Sequence, residues 1–258
     1  MGSQTKHDHQ RVLEYWNDES VESMYDKHLL RAEIELVRKR IAPGSKILDA
    51  GCGEGEGTEV YASIRDVVIH GADFSETRLA KARKRLAGRE NVTLKQVDLL
   101  DVYSLEKDYD VVVSQRCLIN LMDWALQRKV LLDLMGLLAP GGRLLLLEGS
   151  QQGVASLNEL RAAWGLDPIP VKWHNRFFDD EALLSTMQEN GYPLVDRDGL
   201  GAYFVLTRGI RPNLDQNLAW DCDFNRLAAS DEVRDLLGID PTRFSRLKLW
   251  VFESPGGS

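Results

Sequence analysis

Cysteine is scarce in this chain, and Cys52, Cys117 and Cys222 lie too far apart to form a CxxC pair. That excludes a zinc ribbon or dithiol redox motif and leaves the cysteines as reduced thiols. No apolar run approaches the ~18 residues a membrane span requires, and the opening MGSQTKHDHQ lacks the apolar stretch of a secretory signal. A cytoplasmic protein without a membrane partner is expected. Basic excess is also missing. The net charge is -8, whereas proteins that grip a phosphate backbone usually carry a basic footprint, so no nucleic-acid partner is expected. The one basic run, Lys81 to Arg85 with Arg89, falls on a helical pattern and reads as a solvated outer face. Internal repeats and low-complexity tracts are absent.

What is present suffices for a globular core, with 43% apolar and 28% charged residues, and a length of 258 suits one core with insertions. Five short apolar runs, KILDA (46–50), VVIHGAD (67–73), VTLKQVD (92–98), YDVVVS (109–114) and RLLLLEG (143–149), are separated mostly by helical stretches. Runs that are apolar without strict alternation suit parallel strands covered on both faces, which predicts a doubly wound α/β sheet. Helices are expected over 20–40, 124–138 and 179–190. Two further strands are expected at AYFVLTR (202–208) and LKLWVFE (247–253). Between them and the fifth run, residues 151–178 carry Trp164, Trp173, His174, Phe177, Phe178 and two prolines, the composition of a lid-like insertion.

Glycines 51, 53, 55 and 57 in ILDAGCGEGEG directly follow the first strand, where a turn without side chains lets a ligand lie against the backbone. The G-x-G-x-x-G frame of dinucleotide binders fails here, because Glu56 and Thr58 fall where the third glycine is needed. Glu54, Glu56 and Glu59 place negative charge beside the loop, which disfavours a pyrophosphate and tolerates a sulfonium cation. Asp73, at the end of the second strand, can accept hydrogen bonds from both hydroxyls of a ribose. Asp98, at the end of the third, can accept from an adenine amino group while the Leu99 backbone reads the ring edge and Phe74 flanks it. Each has a plainer alternative, the aspartates as helix caps and Phe74 as core.

ILDAGCGEG, ADFSETRLAKAR, QVDLL, YDVVVSQRCLINL and LLAPGGRLLLLEG, in that order, resemble the motifs of class I S-adenosylmethionine-dependent methyltransferases. The resemblance covers roughly residues 45–150. It implies a Rossmann-like seven-stranded sheet with the last strand antiparallel, S-adenosylmethionine as methyl donor and S-adenosylhomocysteine as product. It also implies cofactor contacts at Asp49 or its backbone, at Gly51, Cys52, Gly53, Asp73 and Asp98, and around Ser114 and Gln115. On this reading 1–258 is one domain: an N-terminal helical cap (1–44), a cofactor-binding core (45–150), and substrate-side insertions (151–178 and 209–245).

Methyl transfer to a hydroxyl needs alignment of nucleophile, methyl and sulfur at about 3 Å, and removal of one proton. His174, within Trp173-His174-Asn175, is the candidate base, or else a histidine bonded within the lid. Glu148, ending the fifth strand, is expected to face the substrate and share the proton handling. Arg116 meets an anionic substrate group or the cofactor carboxylate, or forms a structural bridge to Glu148 or Asp123. Arg31 is a second partner for the methionine carboxylate. Tyr15, Trp16 and Tyr25 either close over the cofactor or simply pack. The segment Ser114-Gln115-Arg116-Cys117 lacks the Asn-Pro-Pro-aromatic pattern of members that methylate nucleobase amines or amides. No metal is expected, Asp179-Asp180 reading as a helix start rather than as ligands. The leading expectation is O-methylation of a small polar molecule, a sugar or a specialised metabolite. The alternatives are N-methylation of a small amine, a cofactor-binding module without catalysis, and an NAD-dependent oxidoreductase; oligomeric state stays open.

Overall fold

A computed structural model describes residues 3–215 and 217–256. Met1, Gly2, Gln216, Gly257 and Ser258, which the expected segments include, lie outside the described residues. Two helices come first, α1 (Ser3–Asn17) and α2 (Lys27–Arg38). Asp26 starts α2 by accepting from the Leu29 N–H at 3.1 Å. Leu29, Leu30, Ile34, Leu36 and Val37 then form the helix's buried stripe. Strand and helix next alternate through β1 (Lys46–Ala50), α3 (Glu56–Tyr61), β2 (Val68–Asp73), α4 (Glu76–Arg85) and β3 (Val92–Gln96). After β3 come β4 (Tyr109–Gln115), α5 (Trp124–Met135) and β5 (Leu138–Gly149). The remaining third holds α6 (Gln151–Ala163), α7 (Asp180–Glu189) and β6 (Leu194–Gly199). A helical run follows, comprising α8 (Gly201–Phe204), a π-helical stretch Val205–Ile210 and α9 (Arg211–Leu214). Two short helices, α10 (Asp223–Ala228) and α11 (Asp231–Leu237), precede β7 (Leu247–Glu253).

The strands form one seven-stranded sheet of order β3-β2-β1-β4-β5-β7-β6, in which β7 runs antiparallel to both neighbours. Successive side chains leave a strand on opposite faces. Leu48, Val112, Leu144, Leu146, Trp250 and Phe252 accordingly pack on one side with Leu131, Leu134 and Leu183. Ile47, Val111, Val113, Leu145, Leu147 and Leu249 pack on the other with Leu30, Ile34, Val37 and Phe204. Both faces are covered, which is why the central strands read as unbroken apolar runs. No helix among the described residues is long and apolar enough to cross a membrane.

Three expectations change. AYFVLTR is helical, because α8 and the π-helical stretch occupy it. The sixth strand is instead the polar LVDRDG, whose first four residues are exposed at the sheet edge. There Arg40 pairs with Asp196 at 2.7 Å and with Asp198 at 2.9 Å, and Arg234 also reaches Asp198. The 151–178 insertion is also more regular than expected, since Gln151–Ala163 forms α6 and only the stretch after it is irregular. Finally, residues 20–40 are helical only from Lys27, and a separate helix, α1, precedes them.

Candidate functional site

At the carboxyl ends of β1, β2 and β4 and the amino end of β7 lies a cleft of about 240 Å³, bordered by α2, α8 and the segment around His174. One half belongs to the glycine loop. Gly51 and Gly53 have φ of +84° and +54°, a region L side chains rarely adopt, so the loop can present backbone rather than side chains to a ligand. Asp73 Oδ2 accepts from the Gly53 N–H at 2.9 Å and Oδ1 from the Ser75 N–H at 2.8 Å. Asp49 accepts from Thr58 Oγ1 at 2.6 Å. Burial raises both carboxyls, Asp49 to about 6 with Asp73 adding to the shift. Two buried carboxylates that resist ionising together suit a cationic ligand, and the open backbone of Gly53 leaves it room. The donor set thus fits a sulfonium nucleoside.

The other half is built on a turn after β4. Arg116 has φ +51°, uncommon for a side-chain-bearing residue, with its N–H donating to Leu147 O at 2.9 Å. Glu148 holds the turn from beneath. Its Oε1 accepts from Ser114 Oγ and from the N–H groups of Cys117 and Leu118, each at 2.9 Å, and Oε2 accepts from Ile119 N–H at 3.3 Å. Strand alternation puts Glu148 on the face of Leu144 and Leu146, fully buried. It is absent from the cleft lining, where a residue facing the substrate was expected, and its bonds hold the backbone of the turn that carries Arg116. Arg116 pairs with neither Glu148 nor Asp123 but with the buried Glu33 at 3.3 Å. Gln115 Nε2 donates to the same Glu33 at 2.9 Å.

Burial raises the Glu148 carboxyl from 4.5 to about 7, against the four donors that lower it. Between those two pH values the folded chain keeps a proton that the unfolded chain releases, so this contribution to stability is complete below 4.5 and lost as pH rises through 7. The unfolding free energy of the wild type relative to Glu148→Gln should therefore fall over that interval, by on the order of 3 kcal/mol. Urea titrations at several pH values measure it, and a difference independent of pH would show that Glu148 is ionised throughout.

The rim comes from α1 and the segment after α6. Trp16 lines the cleft with Tyr25, Phe74, His174 and Asn175. Trp16 O accepts from Arg78, and Trp16 Nε1 donates to Asn120 at 3.0 Å. His174 is only 3% exposed, stacks on Tyr15 at 4.4 Å, and has an Nδ1 without a hydrogen-bond partner. Burial, with Lys172 nearby, lowers it to about 4, so the imidazole is neutral near pH 7.

The expected residues divide accordingly. Asp49, Gly51, Cys52, Gly53, Asp73, Phe74, Gln115, Arg116, His174 and Asn175 border one cleft. Ser114 is turned beneath the sheet end to Glu148, and Leu99 packs in the core. Asp98 stands outside the cleft lining, its Oδ2 on His9 Nε2 at 2.9 Å and its Oδ1 on the Leu100 N–H. Arg31 projects from the outer, exposed side of α2, so it does not reach the site. Trp173 points outward as well, 49% exposed beneath Arg11. Asp179 caps α7, accepting from the Glu181 and Ala182 N–H groups, as a helix-start residue should. The reading of the sequence missed Glu33, Asp26, Arg208 and Arg246. Asp26, fully buried, takes Tyr203 Oη at 2.8 Å and Arg208 at 2.7 Å. Of these, only Asp26 carried a local signal, as an N-cap residue type at the start of a helix.

Similarity to known proteins agrees with this geometry. The family described as methyltransferase domain matches residues 47–142. A demethylmenaquinone methyltransferase of Clavibacter sepedonicus is 34% identical over 193 residues, spanning 67% of this chain and 77% of its own length. A ubiquinone/menaquinone biosynthesis C-methyltransferase of Ectopseudomonas mendocina is 26% identical, spanning 72% and 80%. Among solved structures, magnesium protoporphyrin IX methyltransferase from Synechocystis PCC 6803 with bound S-adenosylhomocysteine superposes with a TM-score of 0.57 at 17% identity, covering 98% of this chain and 95% of the other. The Haemonchus contortus phosphoethanolamine N-methyltransferase 1, in complex with phosphoethanolamine and S-adenosylhomocysteine, gives 0.64 at 14% identity, covering 100% and 50%. The chain belongs to the class I S-adenosylmethionine-dependent methyltransferases, with S-adenosylmethionine as its cofactor.

Proposed function

We propose that the chain is an O-methyltransferase of a small specialised metabolite with an apolar body. The observation that carries this is the lining of the acceptor half, where Met24, Leu29, Leu30, Phe177, Phe204 and Leu247 surround a few polar groups. A sugar would want carboxylates and amides in those places, so it fits less well. Within the cofactor half, Asp73 is the partner for the ribose hydroxyls, the Gly51 and Gly53 backbone for the methionine portion, and Phe74 for the adenine face. The bound cofactor supplies an electrophilic methyl on a sulfonium that loses its charge in the transfer.

The chain's own residues supply alignment, water exclusion and a place for the proton. Trp16, Tyr25 and His174 roof the cleft, and Arg116 favours an acceptor oxygen that is losing its proton. His174 is neutral at working pH, and in its Nε2–H tautomer the unpartnered Nδ1 can accept, though as a weak base because of its lowered proton affinity. His174→Gln should slow turnover by roughly 10- to 100-fold while leaving S-adenosylhomocysteine affinity within a factor of about three. The wild-type rate should show no histidine inflection between pH 5.5 and 7.5, since His174 loses its proton near pH 4. Unchanged turnover in the variant would remove the base role.

A second reading, methylation at a ring carbon activated by an adjacent hydroxyl, is favoured by the quinone-directed relatives named above. It uses the same ionising hydroxyl. Transfer of a carbon-13 methyl group to hydroxylated aromatic acceptors, followed by magnetic resonance of the product, separates oxygen-bound from carbon-bound methyl.

A further inference from the structure

Three guanidiniums, Arg116, Arg208 and Arg246, line the acceptor side of the cleft. Two have carboxylate partners, Glu33 for Arg116 and Asp26 for Arg208. Arg208 is further fixed by stacking on Trp220 at 4.1 Å. Arg246 is different. Its guanidinium has no ion pair or hydrogen bond among the described residues, the residue is half-buried, and the guanidinium lies 5.3 Å from the Phe177 ring centroid. Burial, reinforced by the charges of Arg208 and Arg116, lowers its proton affinity to about 10, whereas Tyr25 and Glu33 pull the other way. A guanidinium so placed gains from an anion that enters the cleft.

The place of Arg246 in the sheet favours an acceptor's anion over the cofactor's own carboxylate. Arg246 immediately precedes β7, which is three strands from β1 and its glycine loop in the order β1-β4-β5-β7. At ~4.8 Å per strand the separation is about 14 Å across the sheet. Arg116, directly after β4 and so beside β1, stands closer to the glycine loop.

We propose that the methyl acceptor carries a carboxylate that docks on Arg246, on the side of the cleft away from the glycine loop. The inference rests on the small-molecule acceptor reading above and adds a chemical class to it. A carboxylate matches the planar fork in two parallel hydrogen bonds, and the Phe177 ring beneath the guanidinium suits an acceptor with an apolar skeleton.

The test is calorimetric titration of the protein saturated with S-adenosylhomocysteine. The probes are hydroxy-acids, their primary amides and the matching phosphate monoesters on common aryl and alkyl skeletons, and the same compounds are offered as acceptors with S-adenosylmethionine. The acids should bind at least about tenfold more tightly than their amides in the wild type, and Arg246→Gln should shrink that ratio below about threefold. Affinity for S-adenosylhomocysteine should be unchanged. Arg246→Lys, which keeps the charge and loses the fork, should fall between, and covers the case in which the glutamine variant folds poorly. Equal binding of acids and amides, a preference that survives Arg246→Gln, or a preference for phosphate monoesters would each overturn the assignment. If the acids outbind the amides but no panel member is methylated, the acceptor reading fails and the anion site stands.

Discussion

Asp73→Ala should weaken S-adenosylmethionine and S-adenosylhomocysteine binding by about 100-fold or more, since the variant would lose the two charge-assisted hydrogen bonds to ribose that Asp73 makes in its proposed role, at ~1.5–3 kcal/mol each. The same carboxylate also ties the glycine loop to α4 through the Gly53 and Ser75 N–H groups, so part of the loss comes from a loosened loop. Asp73→Asn separates the two contributions. Its amide keeps the shape but must turn an NH2 toward one of those N–H donors or toward the ribose. If the direct ribose contact dominates, the alanine and asparagine variants differ little in thermal stability and both bind poorly by calorimetry. An Asp73→Ala protein that binds S-adenosylhomocysteine as the wild type does would remove Asp73 from the cofactor site.

Gly51→Ala should be the most damaging single methyl group in the loop. An added Cβ would lie 2.2 Å from Cys117 Sγ and 2.5 Å from its Cβ, on a backbone already at φ +84°. The left-handed conformation costs an alanine ~1–2 kcal/mol, and the overlap typically 1–3 kcal/mol more. The midpoint of thermal unfolding should drop by roughly 5–15 °C, with cofactor affinity falling alongside. Adding Cys117→Gly removes both clashing atoms and should restore the steric part, leaving the backbone strain. Gly53→Ala is the useful contrast, because nothing lies within 4 Å of its added Cβ. That substitution should cost only the ~1–2 kcal/mol of left-handed backbone strain, with no overlap added, yet still obstruct the cofactor, and equal destabilisation by the two changes would contradict the geometry.

The core strands and the cofactor loop were legible because local pattern and burial agree there. ILDAGCGEG is apolar where both faces are covered and glycine-rich where the backbone turns left-handed. AYFVLTR misled because β-branched and aromatic residues are a weak guide where tertiary packing decides. Gly201 brings that segment against the Arg243 carbonyl, and Tyr203 bonds Asp26, contacts a sequence cannot display. The real strand, LVDRDG, was invisible for the converse reason, as an edge strand that buries only its last residues shows no apolar run. Glu148 was placed correctly at a strand end but on the wrong face, since one step of alternation separates the cleft from the core beneath it. The negative charge read at the glycine loop is largely neutralised: Arg78 and Lys81 hold Glu54, and Arg85 reaches Glu59. What speaks against a pyrophosphate cofactor is therefore the family to which the chain belongs, more than that charge. Arg208 and Arg246 lie beyond the motif-bearing region, where no local signal marked them.

The polar edge strand has a bearing on how the protein behaves when crowded. A sheet ending in a bare apolar strand invites another chain to extend it, the first step toward fibrous aggregates. Here the last strand meets solvent with Asp196 and Arg197, and Arg40 and Arg234 clamp its acidic side chains from adjoining elements. An incoming strand would have to displace those ion pairs and lay its own residues against charge. The border that hid this strand from a reading of hydrophobicity is thus also what guards the sheet against growing at that side.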